Sequence, residues 1–539
     1  MADIEDLKKY KHIYMIGIGG VSMSGIAEIL KYWGFIVKGS DRVESEVTRK
    51  LNLDGIHVII GHDINMVSKA DIVVYTAAIK PDDIELVHAK ELGIPTMERS
   101  DFLGIITKAF KDTICISGTH GKTTTTSMIS MCFMEAGLDP SIQVGATLKA
   151  IDGNYRVGKS EYFIIEACEY VESFLKFYPK AEIILNIDND HLDYFKNIEN
   201  VAYSFTKYVK LLPDDGLLVV NSDDNYCSQL HNHTTAKVVT YGIKNEKANF
   251  IARNITFDKN GFARFDVYHN NYFYSSFELS VPGNHNVLNA LACISLCDSY
   301  GIAKSDIKVA LKKYTGAQRR FEYIGQFNGI SIYDDYGHHP TEIKATALAL
   351  KKKSYHHSWV VFQPHTYSRT KELLGDFANS LTFFDNIIVT DIYAAREQNT
   401  YNISSKDLVE KIKSLGRKAT YISDFKDIVS YLKENTEKDD IILTLGAGTV
   451  TEIGPMILKS WEIGVEMGTV PISLEMRNRN RPHFQFFMLM PFVLTSYQQK
   501  RHTPVADHLQ AHVLLLRQNF PSCIIGAPDI PLYYSSCFF

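Results

Sequence analysis

The chain has 539 residues, 45% of them hydrophobic and 22% charged, with 57 basic and 62 acidic side chains and a net charge of −5. At about 150 residues per domain this is enough for three or four domains, each with its own core, and the near-balance of charge argues against a dedicated nucleic-acid binder. No run reaches the roughly 18 apolar residues of a membrane helix; the longest, Phe484 to Leu494, is too short and holds Gln485 and Pro491.

In chain order, Met1 to Tyr10 is polar and acidic, unlike a secretory leader. Ile13–Gly17 reads as a strand, Ser22–Trp33 as a helix after a glycine turn, and Phe35–Lys38 and Asp71–Tyr75 as strands. The rhythm restarts at Thr113–Ser117 and continues through Tyr162–Ala167, Glu182–Ile187 and Leu217–Asn221. It restarts again near Ile330–Asp334, followed by Trp359–Gln363, Asn386–Asp391 and Asp440–Leu445. Alternating strands and helices predict βαβ units on parallel sheets. The fold class is therefore α/β with three consecutive domains, 1–105, 106–318 and 319–459. Phe250 to Leu279 alternates apolar and polar residues around Asp258-Lys-Asn-Gly261, which predicts an antiparallel hairpin at the edge of the middle domain. From Ser460 the rhythm stops, and 460–539 is expected to be a poorly structured extension. It holds one lysine, Lys500, and seven of the chain's 16 prolines. The eight cysteines form no CxxC pair and are expected to be small buried hydrophobes in a reducing compartment. Cys293 and Cys297, four apart, could share a helix face.

Five motifs carry chemistry. Gly118-Thr119-His120-Gly121-Lys122-Thr123, with Thr124 behind it, lies between a strand and an apolar helix. There, glycines can turn backbone N–H groups around phosphate, Lys122 can reach the β- and γ-phosphates, and Thr123 can ligate Mg²⁺. The loop is a shortened variant, because Ile116 stands where the usual first glycine would be. Gly17-Ile-Gly19-Gly20-Val-Ser-Met-Ser24-Gly25, with Asp41 ending the next strand, predicts a diphosphate at a helix N-terminus beside a sugar. NAD and a nucleotide sugar fit this motif equally well. Glu166, Glu169 and His191 follow strands on the phosphate-loop edge and could hold a metal bridging ATP and substrate. Gly283-Asn-His285-Asn286-Val-Leu-Asn289 offers side chains that read a purine edge. Arg319-Arg320, Asp334-Asp335-Tyr336-Gly-His338-His-Pro-Thr-Glu342 and Gln363-Pro-His-Thr-Tyr-Ser-Arg369 place polar groups at successive strand ends.

In order and spacing these motifs resemble those of the Mur ligases, from about Tyr10 to Lys459. The resemblance implies a Rossmann-like nucleotide-sugar domain, a P-loop ATPase-like central domain and a Rossmann-like C-terminal domain. It implies ATP-dependent ligation of L-alanine to the lactyl carboxylate of UDP-N-acetylmuramate through an acyl phosphate, in cytoplasmic peptidoglycan precursor synthesis, with Mg²⁺ as cofactor. UDP-N-acetylmuramate, L-alanine and ATP are then the partners, without nucleic acid or membrane, and the chain is a monomer or weak homodimer. Carried over residue by residue, Thr123, Glu166 and His191 form the metal site, Glu169 competing with Glu166. His285, Asn286 and Asn289 take the adenine, and Arg320 and Asp335 contact ATP. Lys122, His338 and Arg369 are the catalytic set, with Tyr336 beside the amino-acid site. Gly17, Gly19, Gly20, Ser24, Gly25, Asp41 and Thr76 take the UDP-sugar. Thr366 stands where many relatives carry a second arginine. Open alternatives are a ligase that attaches a short peptide to the same nucleotide sugar and a catalytically impaired nucleotide-binding relative. A GTP switch would need an Asn-Lys-x-Asp reader, and the sequence has none.

Overall fold

The structure is a computed structural model that describes residues 5–465, apart from Arg396. Three sheets follow one another along the chain. The first has five parallel strands in the order His57–Ile60, Ile36–Asp41, His12–Ile16, Ile72–Tyr75, Thr96–Glu98. Its central strand, HIYMI, is almost entirely buried, as expected of a parallel strand covered on both faces.

The second sheet has ten strands. Its parallel centre comprises Lys237–Gly242, Leu217–Asn221, Ala181–Ile184, Asp112–Ser117 and Tyr162–Glu166. On one edge the expected hairpin forms from Phe250–Phe257 and Phe262–His269, closed by Gly261 at φ +77°. Asp258 stabilises the turn by accepting from the Asn260 and Phe262 N–H groups. A third antiparallel strand, Tyr272–Pro282, extends the hairpin. The other edge carries a hairpin the βα rhythm did not predict, Ser141–Leu148 with Gly153–Arg156. The third sheet runs Glu322–Phe327, Ile330–Asp335, Ile441–Leu445, Ser358–Phe362, Asn386–Val389, Ala419–Tyr421. Its first strand is antiparallel and was also not predicted.

Packing joins the first two sheets. Phe102 and Ile106, on the helix Arg99–Ala109, share a buried cluster with Cys115, Phe163 and Phe205 of the central domain. The Phe110 and Phe163 rings stack at 4.8 Å. The opposite face of the central sheet buries Ile114 and Ile116 against Ile129, Phe133 and Leu291 of the helices Lys122–Glu135 and Asn284–Ser299. The third sheet has its own cluster on each face. The helix Ile453–Val465 runs past the boundary expected at 459; the rest of the expected extension, 466–539, lies outside the described residues. No helix among the described residues is long and apolar enough to cross a membrane.

Candidate active site

The strand Asp112–Ser117 delivers the chain to Gly118 at φ +127° and Gly121 at φ +89°, where the helix Lys122–Glu135 starts. Both glycines are required by space as well as by φ. A Cβ on Gly118 would stand 3.0 Å from the Asn186 N atom, and one on Gly121 would stand 2.7 Å from Asn289 Oδ1. Gly121 provides no side chain to cap the helix, so first-turn N–H groups face the place an anion would occupy.

Lys122 bends back over the loop. Its Nζ donates to the Gly118 and Thr119 carbonyls at 2.6 and 3.1 Å and to Glu169 at 2.9 Å. Burial works against the ammonium charge, but Glu169 outweighs it and pushes the lysine above its ordinary range. Thr123 donates to Glu166 at 3.2 Å and accepts from Arg320 Nη2 at 3.3 Å. The other Glu166 oxygen accepts from the Gly145 N–H at 2.5 Å. Burial raises the Glu166 carboxyl, a cost that a cation beside it would offset. A hydroxyl and a carboxylate are hard oxygen donors and suit Mg²⁺. The chain thus divides the two glutamates, with Glu169 on the lysine and Glu166 on the threonine.

His120 reaches in two directions. One ring nitrogen lies 3.0 Å from Asp188 in the same domain, the other 3.4 Å from Glu342 in the third. Burial opposes a charge on this imidazole, but the hydrogen bonds to Asp188 and Glu342 outweigh it and raise it to about 9. Thr341 donates to Asp188 at 2.7 Å, and the His339 ring lies 3.1 Å from the Asn189 carbonyl.

Two cavities flank this seam. The smaller, of about 390 Å³, is lined by His120, Thr124, Asn286, Asn289, Arg320 and Asp335, with His285 at its wall. It draws together the loop, the Gly283–Asn289 motif and the start of the third domain. Burial pushes the Asp335 carboxyl up to about 6, although Arg320 and the N–H groups of Gly337 and Phe321 favour its charge. The larger, of about 700 Å³, is lined by Thr76 and Arg99 of the first domain, Tyr170 and His191 of the second, and His365 and Arg369 of the third. Arg369 donates to Asp190 at 2.8 Å. Thr366 also lines it, with φ +66°, a conformation β-branched residues rarely adopt.

Several expected residues also make contacts within the protein. His191 lies in the larger cavity with its ring 4.6 Å from that of Tyr170, while Thr123 and Glu166 pair at the phosphate loop. Gly17 abuts Thr76, whose Cγ2 would stand 2.7 Å from a Cβ there. The Gly19 N–H donates to Asp41 at 2.8 Å, so this carboxylate braces the turn itself. Ser24 is buried and returns its hydroxyl to the Val21 carbonyl at 3.1 Å. Gly25 packs on Tyr155 of the unpredicted hairpin. Ser22 holds the open position instead, accepting from Arg99 at 3.2 Å and Gln143 at 2.7 Å. The His338 ring packs between those of Tyr336 and His365, and burial lowers it to about 4. Sequence reasoning missed Arg99, Asp188 and Glu342 as site residues; Glu342 closes the quoted Asp334–Glu342 motif and Asp188 lies three residues before His191, but spacing alone does not show that both reach His120.

Known proteins share this architecture. Residues 12–111 match the Mur ligase family catalytic domain, 116–297 the Mur ligase middle domain, and 319–448 the Mur ligase glutamate ligase domain. The chain is 48% identical over 456 residues to the UDP-N-acetylmuramate–L-alanine ligase of Acetivibrio thermocellus, covering 85% of this chain and 97% of the relative. It is 49% identical over 454 residues to the enzyme of the same name from Caldanaerobacter subterraneus, covering 84% and 98%. The crystal structure of the Thermotoga maritima UDP-N-acetylmuramate–alanine ligase superposes with a TM-score of 0.72 at 28% identity, over 84% of this chain and all of that one. A loop built for phosphate, the three domains meeting around it and this continuous likeness place the chain in the Mur ligase family.

Proposed function

We infer that this chain joins L-alanine to the lactyl carboxylate of UDP-N-acetylmuramate with cleavage of ATP to ADP and phosphate, as in peptidoglycan precursor synthesis. The observation that carries this reading is the phosphate loop opening onto a cavity that extends to the Gly283–Asn289 motif, in a chain whose second cavity is lined by all three domains. High identity to ligases of that name along the three domains supports the same substrates.

A carboxylate is a poor electrophile and must be activated. Its oxygen attacks the γ-phosphorus, the bond to the β-phosphate oxygen breaks, and ADP leaves. The alanine amine then attacks the acyl carbon, phosphate departs, and the amine gives up a proton. Lys122 exchanges Glu169 for phosphate oxygens and neutralises charge on the transferring group. Thr123 and Glu166 would hold Mg²⁺, which when bound would supply further charge neutralisation. Asn286, Asn289 and His285 hold the adenine, and Arg320 and Asp335 hold the rest of the nucleotide across the domain seam. Gly17, Gly19, Gly20 and Thr76 border the UDP-sugar. Arg369 orients the alanine carboxylate. His338 is held neutral, the state a proton acceptor needs. Accordingly 1–105 serves the UDP-sugar, 106–318 serves ATP and 319–459 completes the site, in a cytoplasmic protein acting as a monomer or weak homodimer.

The test is phosphate release from Mg²⁺-ATP with UDP-N-acetylmuramate, adding and omitting L-alanine. Release that requires both is expected. Release that a short peptide supports and alanine does not would overturn the amine assignment.

A further inference from the structure

Far from the ligase site, two exposed histidines meet two acids at the entrance of the third sheet. His356 Nδ1 and His357 Nδ1 each lie 3.5 Å from the same oxygen, Asp440 Oδ1. His356 Nδ1 lies 3.6 Å from Glu437 Oε2. We propose that His356, His357, Asp440 and Glu437 form a binding site for a late divalent cation of the Zn²⁺ class, separate from the Mg²⁺-ATP site.

His356, His357 and Asp440 bring ligand atoms within 4.8 Å of one another, and Glu437 stands beside His356, at spacings close to those of a tetrahedral metal shell. A Zn²⁺ ion about 2.0–2.1 Å from nitrogen and oxygen donors sets neighbouring donors about 3.3–3.4 Å apart. The three distances here, 3.5, 3.5 and 3.6 Å, need to contract by only a few tenths of an ångström. Two imidazoles with carboxylates select zinc, cobalt, nickel or copper over magnesium or calcium.

The central ligand is also fixed in advance. Asp440 is 1% exposed. Its Oδ1 accepts from the His357 N–H at 3.0 Å, and its Oδ2 accepts from Trp359 Nε1 at 3.0 Å and the Glu437 N–H at 2.9 Å. Such outer partners orient a metal-binding carboxylate. The backbone is equally constrained, because Ser358 and Ile441 pair as the first residues of adjacent parallel strands. The imidazoles stay open to solvent, His356 at 52% and His357 at 48% side-chain exposure, which gives the ion a way in. The cavity residues His365 and Thr366 follow the other end of the strand Ser358–Phe362, about 17 Å away at 3.3 Å per residue. The ion would thus brace the sheet without touching the chemistry.

The experiment uses the full chain, stripped with chelator and titrated with Co²⁺ and then Zn²⁺. Expected are one equivalent of Co²⁺ with tetrahedral visible absorption, quenching of Trp359 fluorescence, displacement by Zn²⁺, and a higher Tm in Zn²⁺ than in chelator. The double variant His356→Ala/His357→Ala is expected to weaken uptake about tenfold or more and to keep ligase turnover, which also reports that it folds. Absent uptake, uptake the double variant retains, or absorption of thiolate–cobalt character would each overturn the proposal.

Discussion

At the residue scale, the phosphate loop stores its lysine on a carboxylate. Lys122 and Glu169 are 17% and 2% exposed in their side chains, so neither charge is left bare before nucleotide arrives. Lys122→Ala removes the charge that faces the transferring phosphoryl group, and phosphate release should fall by about 10²–10³-fold or more. It also leaves Glu169 buried without a partner, a loss of about 3–5 kcal/mol. Lys122→Ala in a Glu169→Gln background should recover most of that stability and none of the turnover, as melting and phosphate-release assays on the two variants will show. Binding of UDP-N-acetylmuramate, followed by calorimetry, should persist in both; its loss would sink the reading of separate nucleotide and sugar sites. Arg369→Lys is the corresponding test in the larger cavity. Lysine keeps the charge and loses the planar fork, so KM for L-alanine should rise about tenfold while KM for ATP stays within twofold. An equal rise in both would assign Arg369 to holding the domains through Asp190 alone.

At the scale of elements, helix Arg99–Ala109 lies so close to the segment Tyr170–Lys176 that glycine is required at position 104. A Cβ there would meet the Lys176 carbonyl oxygen at 2.3 Å, and that oxygen is backbone. Gly104→Ala should therefore destabilise the chain by about 1–3 kcal/mol through overpacking, although alanine is the better helix former. A gain in Tm would show that the helix moves freely on the central domain. This contact was not legible from sequence, where Gly104 is only a glycine inside a helical pattern. The parallel strands were legible, because strands buried on both faces read as continuous apolar runs such as IVVY and IILTL. The two unpredicted strand pairs each carried a local signal. Asp152-Gly153 and Asn328-Gly329 are hairpin dipeptides, and both Asp152 and Asn328 take positive φ, at +48° and +49°. The βα rhythm masked them. The same distinction holds in the site: Lys122, Thr123 and Glu166 could be placed by chain order along one sheet edge. The inward turn of Ser24 and the contact of Gly25 with Tyr155 depend on a hairpin packed across a domain boundary.

At the scale of the whole molecule, the third domain is held over the phosphate loop by a few polar contacts that converge on His120 and Asp188. Their dependence on pH follows from the imidazole. His120 titrates at about 9 in the folded chain, against an ordinary 6.5, so the folded state binds this proton more tightly than the unfolded state. Its contribution is therefore complete below pH 6.5, declines as pH rises, and is gone above pH 9. A shift of that size corresponds to about 3 kcal/mol at most. His120→Asn keeps a polar side chain in the loop and removes the titrating group. Melting wild type and variant from about pH 6 to about pH 10 should give a stability gap that is widest at the acid end and closes toward the alkaline end. Glu342 works in the opposite sense: burial would raise it, but His338 and His120 outweigh that and hold it well below the ordinary carboxylate range. Its contribution is present above pH 4.5 and lost on acidification. The clasp is thus strongest between about pH 4.5 and 6.5, where the carboxylate is fully charged and the imidazole fully protonated. A gap between wild type and His120→Asn that stays constant from about pH 6 to about pH 10 would mean that His120 bonds as a neutral ring and that the third domain is held by Thr341 and His339 instead.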